Sequence, residues 1–234
     1  MNDFQRLPVT FSLIAASVTV FVGAILLSGP GWASSLAFQP AWVIEGGGLL
    51  PRNVAGGELW RLLTSMFLHA GLIHIAVNML ALYFLGSFAE QTFGSGRFLA
   101  LYLVSGIAGG VAYLYFGSFT TPAVGASGAI FGILGGILGF ALRRGTFSMR
   151  NPVITQLVFI AAINLFIGAS IPNISNTAHI GGLVGGLFFG ALIANSLYSR
   201  KRGVIAAPLL LTLGLEALLV ALWMFSAGGF AVGV

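Results

Sequence analysis

The 234-residue sequence contains no cysteine and only one aspartate, Asp3, which lies near the N-terminus. The lack of cysteine excludes disulfides, thiol nucleophiles and cysteine-based metal sites. With a single terminal aspartate, the chain cannot place the aspartate pair of an aspartyl protease inside a membrane, and a Ser-His-Asp triad lacks its acid. None of the three histidines belongs to an H-E-x-x-H zinc motif, so a metalloprotease is excluded as well.

Charged residues are also scarce, at 6% of the chain, whereas 58% is hydrophobic and the mean hydropathy is +1.02. These values are typical of an integral membrane protein. No charge occurs between Arg97 and Arg143 or between Arg150 and Arg200, and each gap accommodates two spans of about 20 residues. The apolar runs together predict seven transmembrane helices, at about residues 9–27, 63–86, 97–116, 126–143, 153–171, 178–197 and 205–226.

The first apolar run, residues 9–27, lacks the cleavage pattern of a signal peptide, and we expect it to be retained as a span. The long connection that follows, residues 28–62, is rich in glycine, proline and tryptophan. Trp32, Trp42 and Trp60 suit the membrane interface, so we expect a structured and partly embedded loop.

The net charge of +5 arises mainly from basic residues close to helix ends, which indicates contact with anionic lipid and no nucleic-acid partner. One side of the predicted bundle carries most of them, and the opposite side only Arg52 and Arg61. Because basic loops favour the cytoplasmic side, the N-terminus is predicted to be cytoplasmic and the C-terminus external. The absence of a transit peptide suits the cytoplasmic (inner) membrane of a cell. The residues on the predicted cytoplasmic side are Arg6, Arg97, Arg143, Arg144, Arg150, Arg200, Lys201 and Arg202.

Four polar residues, Ser127, His179, His74 and Asn78, are predicted to lie in the outer half of the membrane. The stretch from Ser127 to Arg143 covers about 24 Å of helix in a hydrocarbon core about 30 Å thick. His179 begins the sixth span from the outside, and His74 and Asn78 lie in the second. A lone serine is common as a packing residue in membrane helices, and an interhelical hydrogen bond would also account for His74 and Asn78. Their shared depth nevertheless favours a single polar site.

Glycines recur every four residues on the two helices that carry Ser127 and His179. Such stripes allow helix backbones to approach closely, although they also occur in bundles that contain no site. His179 is three residues before Gly182 and therefore lies on the face of that stripe. Packing the stripes together would carry the imidazole toward Ser127. The stripes consist of Gly128, Gly132 and Gly136 on the fourth span and Gly182, Gly186 and Gly190 on the sixth.

These residue types permit acyl transfer by a Ser-His dyad. His179 would accept the proton of Ser127 as general base and later protonate the leaving amine. His74 and Asn78, four residues apart on one helix face, are candidate donors for the oxyanion, together with the Ser127 backbone N–H at a helix start. On a continuous helix His69 would be turned about 140° from His74. We therefore predict for His69 a structural role, in hydrogen bonds to the loop or a neighbouring helix.

The same residues resemble the motifs of the rhomboid family of intramembrane serine proteases, over about residues 55–195. The similarity is specific because several motifs occur in the same order. In chain order they are Glu58-Leu-Trp60-Arg61, the H-x4-H-x3-N pattern of His69, His74 and Asn78, Glu90 with Gly94-Ser-Gly96, Gly125-Ala-Ser127-Gly128 and Ala178-His179-Ile-Gly-Gly182.

The resemblance implies an all-α polytopic fold, with a six-helix core over residues 1–200 that includes the 28–62 loop, and an additional helix in residues 201–234. It implies catalysis by Ser127 and His179 and an oxyanion pocket formed by His74 and Asn78. Its expected substrates are single-pass transmembrane proteins that enter from the lipid bilayer, and it implies no metal or other cofactor. Phe131 stands where some relatives have a tyrosine that stacks on the catalytic histidine. Structural roles are implied for Trp60, Arg61, His69, Glu90, Gly125, Gly128, Phe131, Gly182 and Gly186.

Two other functions remain open. A catalytically silent relative would bind membrane clients without cutting them, but retention of both Ser127 and His179 argues against it. A small transporter or channel would be expected to have intramembrane carboxylates or an inverted repeat. Only Glu216 meets the first condition and no internal repeat is evident, so the sequence favours the protease.

Overall fold

The structure is a computed structural model that describes residues 7–28, 39, 41–170, 174–194 and 205–231. Within these ranges the chain is helical, apart from loops and one isolated antiparallel bridge. Some residues used in the topology and loop predictions lie outside the described residues, namely Asp3, Arg6, Trp32, Arg200, Lys201 and Arg202. The helices are α1 (Pro8–Leu27), α2 (Ala41–Gly47), α3 (Pro51–Ala55), α4 (Arg61–Thr64), α5 (Leu72–Phe93, with a π-helical turn at Leu82–Gly86), α6 (Ser95–Phe116), α7 (Ser127–Arg143), α8 (Pro152–Ser170), α9 (Asn176–Ile193) and α10 (Ala206–Ala231).

Seven of the described helices are long and apolar. Six of them, α1, α5, α6, α8, α9 and α10, have mean hydropathies from 1.4 to 2.3 and are long enough to cross a membrane. The seventh, α7, has 17 residues, about 25 Å of helix, and nearly all of them are buried by the surrounding helices. The prediction of an all-α polytopic membrane protein with seven bundle helices is therefore confirmed for the described part of the chain.

The second span begins later than the predicted range of 63–86. The residues at its expected start form α4 and a 3-10 turn at Ser65–Phe67. The backbone is then extended at Leu68, with φ −87° and ψ 146°, and α5 begins only at Leu72. The loop thus extends past residue 62, because the buried Arg61 anchors this stretch to loop carbonyls rather than to a continuous helix.

Arg61 organises the loop. Its guanidinium donates to the carbonyls of Glu45, at 2.7 Å, and Gly48, at 2.8 Å, and forms an ion pair with Glu58 at 2.6 Å. The guanidinium carbon also lies 4.7 Å from the centre of the Trp60 ring, a cation–π distance. The buried guanidinium therefore provides hydrogen bonds to two loop carbonyls, which explains how this irregular segment remains ordered.

The second span also ends later than predicted, because α5 continues to Phe93 and includes Glu90. The buried carboxylate of Glu90 accepts hydrogen bonds from the backbone N–H groups of Val9 (3.0 Å) and Thr10 (2.8 Å), and from the hydroxyls of Thr10 and Ser95 (both 2.7 Å). The two N–H groups belong to the first turn of α1, which has no internal acceptor for them. Glu90 therefore joins the end of α5 to the starts of α1 and α6.

Replacing Glu90 with glutamine is expected to lower the free energy of unfolding by about 2 kcal/mol. An amide has one acceptor oxygen in place of two and turns its own N–H₂ toward donors, so charge-assisted hydrogen bonds are lost. The change is measured as a fall in Tm in detergent. Gln91→Ala is the control, because the exposed Gln91 side chain bonds only to the carbonyl of Ser87 in its own helix. Equal shifts in the two variants would contradict the assigned role of Glu90.

The predicted close packing of the two glycine stripes is present between α7 and α9. A methyl group added at Gly182 would collide with the carbonyl of Gly128, and one at Gly186 would collide with the carbonyl of Gly132. The backbones are thus in direct contact, as small residues allow in membrane helices. Because Ser127 begins α7, this contact determines how close the start of α9 comes to it.

The segment before α7 is held by the loop. Leu49 and Ala123 exchange two backbone hydrogen bonds of 2.9 Å, which form the isolated bridge. Two residues later, the N–H of Gly125 donates to the carbonyl of Ser65, again at 2.9 Å. The extended backbone that leads to Ser127 is therefore held at Ala123 by Leu49 and at Gly125 by Ser65.

The last helix, α10, packs against α6 and the loop. The hydroxyl of Tyr115 donates to the carbonyl of Leu219 at 2.7 Å, and Val220 and Trp223 are buried in an apolar cluster with residues of α6 and α3. Glu216 is only 5% exposed, and neither of its carboxyl oxygens has a hydrogen-bond partner among the described residues. These contacts attach α10 to α6 and to the loop.

Candidate active site

Ser127 and His179 meet where two central helices begin. Ser127 is the first residue of α7, and His179 lies in the first turn of α9. The Nε2 atom of His179 is 2.9 Å from the Oγ atom of Ser127, a hydrogen-bond distance. The side chain of Ser175 caps α9 by accepting the N–H of Ala178. The end of α9 that carries His179 is therefore well defined.

The imidazole of His179 is held by an aromatic ring. Phe131, one turn after Ser127, stacks on it with ring centroids 4.4 Å apart and an interplanar angle of 11°. His179 is buried, and its Nδ1 atom has no hydrogen-bond partner within the part of the chain that is described. Stacking, rather than a carboxylate, thus orients the ring, in keeping with the shortage of acidic residues in the sequence.

Gly125 allows the chain to pass directly beside His74. Its φ of +122° is a conformation that favours glycine, and a Cβ at this position would lie 2.8 Å from the Nε2 atom of His74. Any other residue would therefore strain the backbone and displace the imidazole. The turn before Ser127 brings His74 and the start of α7 together.

His74 and Asn78 present N–H donors from α5. The Nδ1 atom of His74 accepts the N–H of Ala70 at 3.2 Å, so a neutral ring carries its proton on Nε2, the atom nearest Gly125. The Nδ2 atom of the buried Asn78 donates one hydrogen to the carbonyl of His74 at 2.8 Å. An amide nitrogen has two hydrogens, so the second is free for a ligand.

One cavity of about 1510 Å³ is lined by the side chains of Ser127, His179, His74 and Asn78. Its walls come from α5, α6, α8 and the segment that precedes α7. Pockets for small molecules typically measure about 300 to 1,000 Å³, so this cavity is large enough for a length of polypeptide. The arrangement places a hydroxyl group, an imidazole and several N–H donors around that space.

Residues 56–196, which contain these side chains, match the family model described as the Rhomboid domain. The chain belongs to the rhomboid family. Rhomboid protease GluP of Bacillus subtilis (strain 168) is 44% identical over 167 residues, which cover 71% of this chain and 32% of that protein. RHOMBOID-like protein 4 of Arabidopsis thaliana is 41% identical over 169 residues, covering 71% and 40% respectively. The chain thus spans well under half the length of either relative.

In this rhomboid chain, the matched residues 56–196 contain α5 to α9, whereas α1 and α10 lie outside them. Most of the other residues of the rhomboid motifs lie outside the cavity, although Gly128 also lines it. Trp60, Arg61, His69 and Glu90 do not line it and instead hold the elements around it, whereas Gly128, Gly182 and Gly186 lie in the contact between α7 and α9. The structure therefore brings together Ser127, His179, His74, Asn78, Gly125 and Phe131.

His69 lies in a different place from the one predicted. Its ring packs edge-on against His74, with centroids 5.2 Å apart and an interplanar angle of 67°. The expected rotation away from His74 assumed a continuous helix, but α5 begins only at Leu72. Burial, together with the neighbouring His74, lowers the pKa of His69 to about 4. His69 is therefore neutral at physiological pH and supports the ring of His74 without adding charge.

Two asparagines near this cavity were not predicted from the sequence. Asn164 of α8 and Asn176 of α9 both line the cavity. The Nδ2 atom of Asn176 donates to the carbonyl of Leu165 at 2.9 Å, which ties the start of α9 to α8. Asn164 is a polar residue within the predicted span 153–171, and this is a signal that could have identified it. Asn176 lies between the predicted spans 153–171 and 178–197, so no such signal marks it.

Proposed function

We propose that this chain is an intramembrane serine endopeptidase that cleaves transmembrane segments of membrane proteins. The observation that carries the proposal is the 2.9 Å contact between His179 Nε2 and Ser127 Oγ inside a bundle of apolar helices. The similarity to a relative named as a rhomboid protease supports the same activity. A protein that only bound membrane clients would have no use for this pairing of a hydroxyl with an imidazole.

Ser127 is the nucleophile in this proposal, and His179 is the general base. The Ser127 hydroxyl donates to Nε2 when the neutral imidazole carries its proton on Nδ1. As Oγ attacks the scissile carbonyl carbon, that hydroxyl proton moves to Nε2, and the imidazolium then protonates the leaving amine. Water hydrolyses the acyl-enzyme with the same histidine as base. Stacking on Phe131 keeps Nε2 directed at Oγ during both steps.

The oxyanion formed in each step needs hydrogen-bond donors. The proposed donors are the His74 Nε2–H, the free Asn78 Nδ2–H and the Ser127 backbone N–H. The last is the first N–H of α7, which has no acceptor within its helix and lies at the positive end of the helix dipole. One such donor typically contributes about 10²- to 10³-fold in rate. Together the three donors would stabilise the negative charge that develops on the substrate carbonyl oxygen.

Single-pass transmembrane proteins in the same lipid bilayer are the proposed substrates. Residues 1–200 form the proposed catalytic core and residues 201–234 an addition to it, in keeping with the family model, whose match ends at residue 196. We place the N-terminus in the cytoplasm and the C-terminus outside a cytoplasmic (inner) membrane. Arg97, Arg143 and Arg150 support this orientation, since α6 begins, α7 ends and α8 begins at the same end of the bundle.

The proposal is tested by treating purified protein in detergent with a fluorophosphonate, which reacts covalently with activated serines. We expect the label on the peptide that contains Ser127, and none on Ser118, an exposed serine at the same cavity. We also expect the untreated protein to cut a fusion that carries one transmembrane segment, and the labelled protein to leave it intact. Cleavage that continued after complete labelling of Ser127 would contradict the proposal. Tight binding of an uncut fusion would favour the silent client-binding protein instead.

A further inference from the structure

Asn164 is a polar residue within the apolar helix α8 and has no part in the proposed catalytic chemistry. Its Nδ2 atom donates to the carbonyl of Ile160, one turn earlier in the same helix, at 2.8 Å. Its Oδ1 atom has no hydrogen-bond partner among the residues that the structure describes. Polar side chains in membrane spans are rare, face a protein interior or a cavity, and often mark a binding path.

The pattern of burial on α8 shows which way Asn164 faces. The buried residues of this helix are Ile154, Leu157, Ala161 and Gly168. Asn164 is three residues after Ala161 and four before Gly168, so it lies at one edge of this stripe, and the partly buried Leu165 lies at the other edge. Because Asn164 also lines the cavity, its side chain faces the interior of the bundle. It is exposed all the same, because the cavity lies in front of it.

Both α8 and α5 contribute residues to the wall of the cavity. Val77 of α5, which is 60% exposed, lines it together with Asn164 and Ile167 of α8. Ser127 and His179 line the same cavity, so one occupant can contact both Asn164 and the proposed catalytic pair. Its volume of about 1510 Å³ and its lining, which is apolar with a few polar groups, suit a transmembrane polypeptide segment.

We propose that Asn164 is a specificity-determining residue, whose Oδ1 atom accepts a hydrogen bond from the transmembrane segment of a substrate. The inference rests on the proposed function and adds a recognition step to it. Beyond its first turn, an intact transmembrane helix uses every backbone N–H internally, so it offers Oδ1 no donor. A segment unwound at glycine exposes such N–H groups. Asn164 therefore favours segments that unwind beside the cut over segments that remain helical.

A structural role for Asn164 would require a contact with another element. The hydrogen bond made by its side chain remains within α8, so an apolar residue of similar size leaves the packing of the bundle unchanged. Hydrogen bonds between membrane segments typically contribute enough to change an equilibrium or a rate by about 3- to 20-fold. The expected effect of Asn164 is thus a change in selectivity rather than a loss of the fold.

The test compares the parent protein with Asn164→Leu in proteoliposomes. The control variant is Ile163→Leu, which changes the adjacent residue, one that does not line the cavity. Two of the substrates are fusions that carry one transmembrane segment with the same cut site. They differ only at two residues of that segment next to the cut site, which are Gly-Gly in one fusion and Leu-Leu in the other. A short water-soluble peptide with the same cut sequence is the third substrate. We expect Asn164→Leu to lower kcat/KM for the Gly-Gly fusion by about 3- to 20-fold, mainly through KM, and to leave the other two substrates unchanged.

If Asn164→Leu leaves the ratio of kcat/KM between the two fusions unchanged, the inference is overturned. An equal loss of kcat/KM with the soluble peptide would also overturn it, because that loss would indicate a structural role. If the parent cuts no substrate, or if Ser127→Ala cuts as well as the parent, the proposed function fails and the inference fails with it. If the parent cuts and only the ratio is unaffected, the inference alone fails. A ratio that fell equally in Ile163→Leu would also overturn the assignment to Asn164.

Discussion

Replacing Ser127 with alanine is expected to lower kcat/KM for a transmembrane substrate by at least about 10⁴-fold, to the limit of detection. The Oγ atom forms the bond to the substrate carbonyl in the proposed mechanism, and no other described hydroxyl lies against the His179 imidazole. The alanine variant should nevertheless fold, because Ser127 is a partly exposed residue whose described side-chain contact is the one to His179. Its Tm should remain close to that of the parent.

The same experiment includes His179→Ala and the double variant. Residues that act as one unit lose activity non-additively, so the double variant should be no slower than Ser127→Ala alone. The measurement is cleavage of a fluorogenic fusion in proteoliposomes, with all proteins checked for the same Tm. Losses that multiplied in the double variant, or substantial activity in either single variant, would show that the 2.9 Å contact does not carry the chemistry.

Replacing Gly182 with alanine is expected to destabilise the protein by about 3 kcal/mol or more and to remove most of its activity. The added methyl group would collide with the backbone carbonyl of Gly128, which cannot rotate away as a side chain could. The two helices must separate to accommodate it. Because His179 lies three residues before Gly182 and Ser127 one before Gly128, the separation would break the contact between His179 and Ser127. The readouts are Tm in detergent and kcat/KM.

Gly214→Ala is the matched control for this substitution. Gly214 lies within the transmembrane helix α10, and a Cβ there would meet nothing within 4 Å. Alanine is the better helix former, so this variant should be as stable as the parent or slightly more stable, with unchanged activity. If Gly182→Ala had the same Tm and activity as Gly214→Ala, the direct backbone contact between α7 and α9 would not be needed to hold Ser127 and His179 together.

The positions of charged residues were sufficient to predict how many helices the bundle has, because an unpaired charge is costly inside a membrane. The same positions did not predict where the second span begins and ends, because Arg61 and Glu90 near its ends are charged and yet buried. Arg61 is satisfied by the carbonyl of Glu45, 16 residues away, and Glu90 by the backbone of Thr10, 80 residues away. Hydrogen bonds between residues so distant in the chain depend on the finished fold, so no local pattern marks them.

The candidate site shows a similar division. The contact of Ser127 with His179 could be predicted, because the glycine stripes define both the interface of their helices and the faces that meet. The position of His69 could not, because it depends on where α5 begins and on the extended backbone at Leu68. Asn164 was overlooked because its helix has no glycine stripe, and only the burial pattern of α8 shows that it faces the cavity.

The shortness of α7 bears on how water reaches a site among apolar helices. Its 17 residues cover about 25 Å of a hydrocarbon core about 30 Å thick, and the charged Arg143 at its end belongs near one boundary. Ser127 then lies only about 5 Å below the other boundary. In the proposed reaction each hydrolysis consumes one water molecule, and a site at that depth can be hydrated without a channel through the lipid. The proposed mechanism therefore brings the peptide bond up toward the aqueous phase instead of carrying water down to the centre of the bilayer.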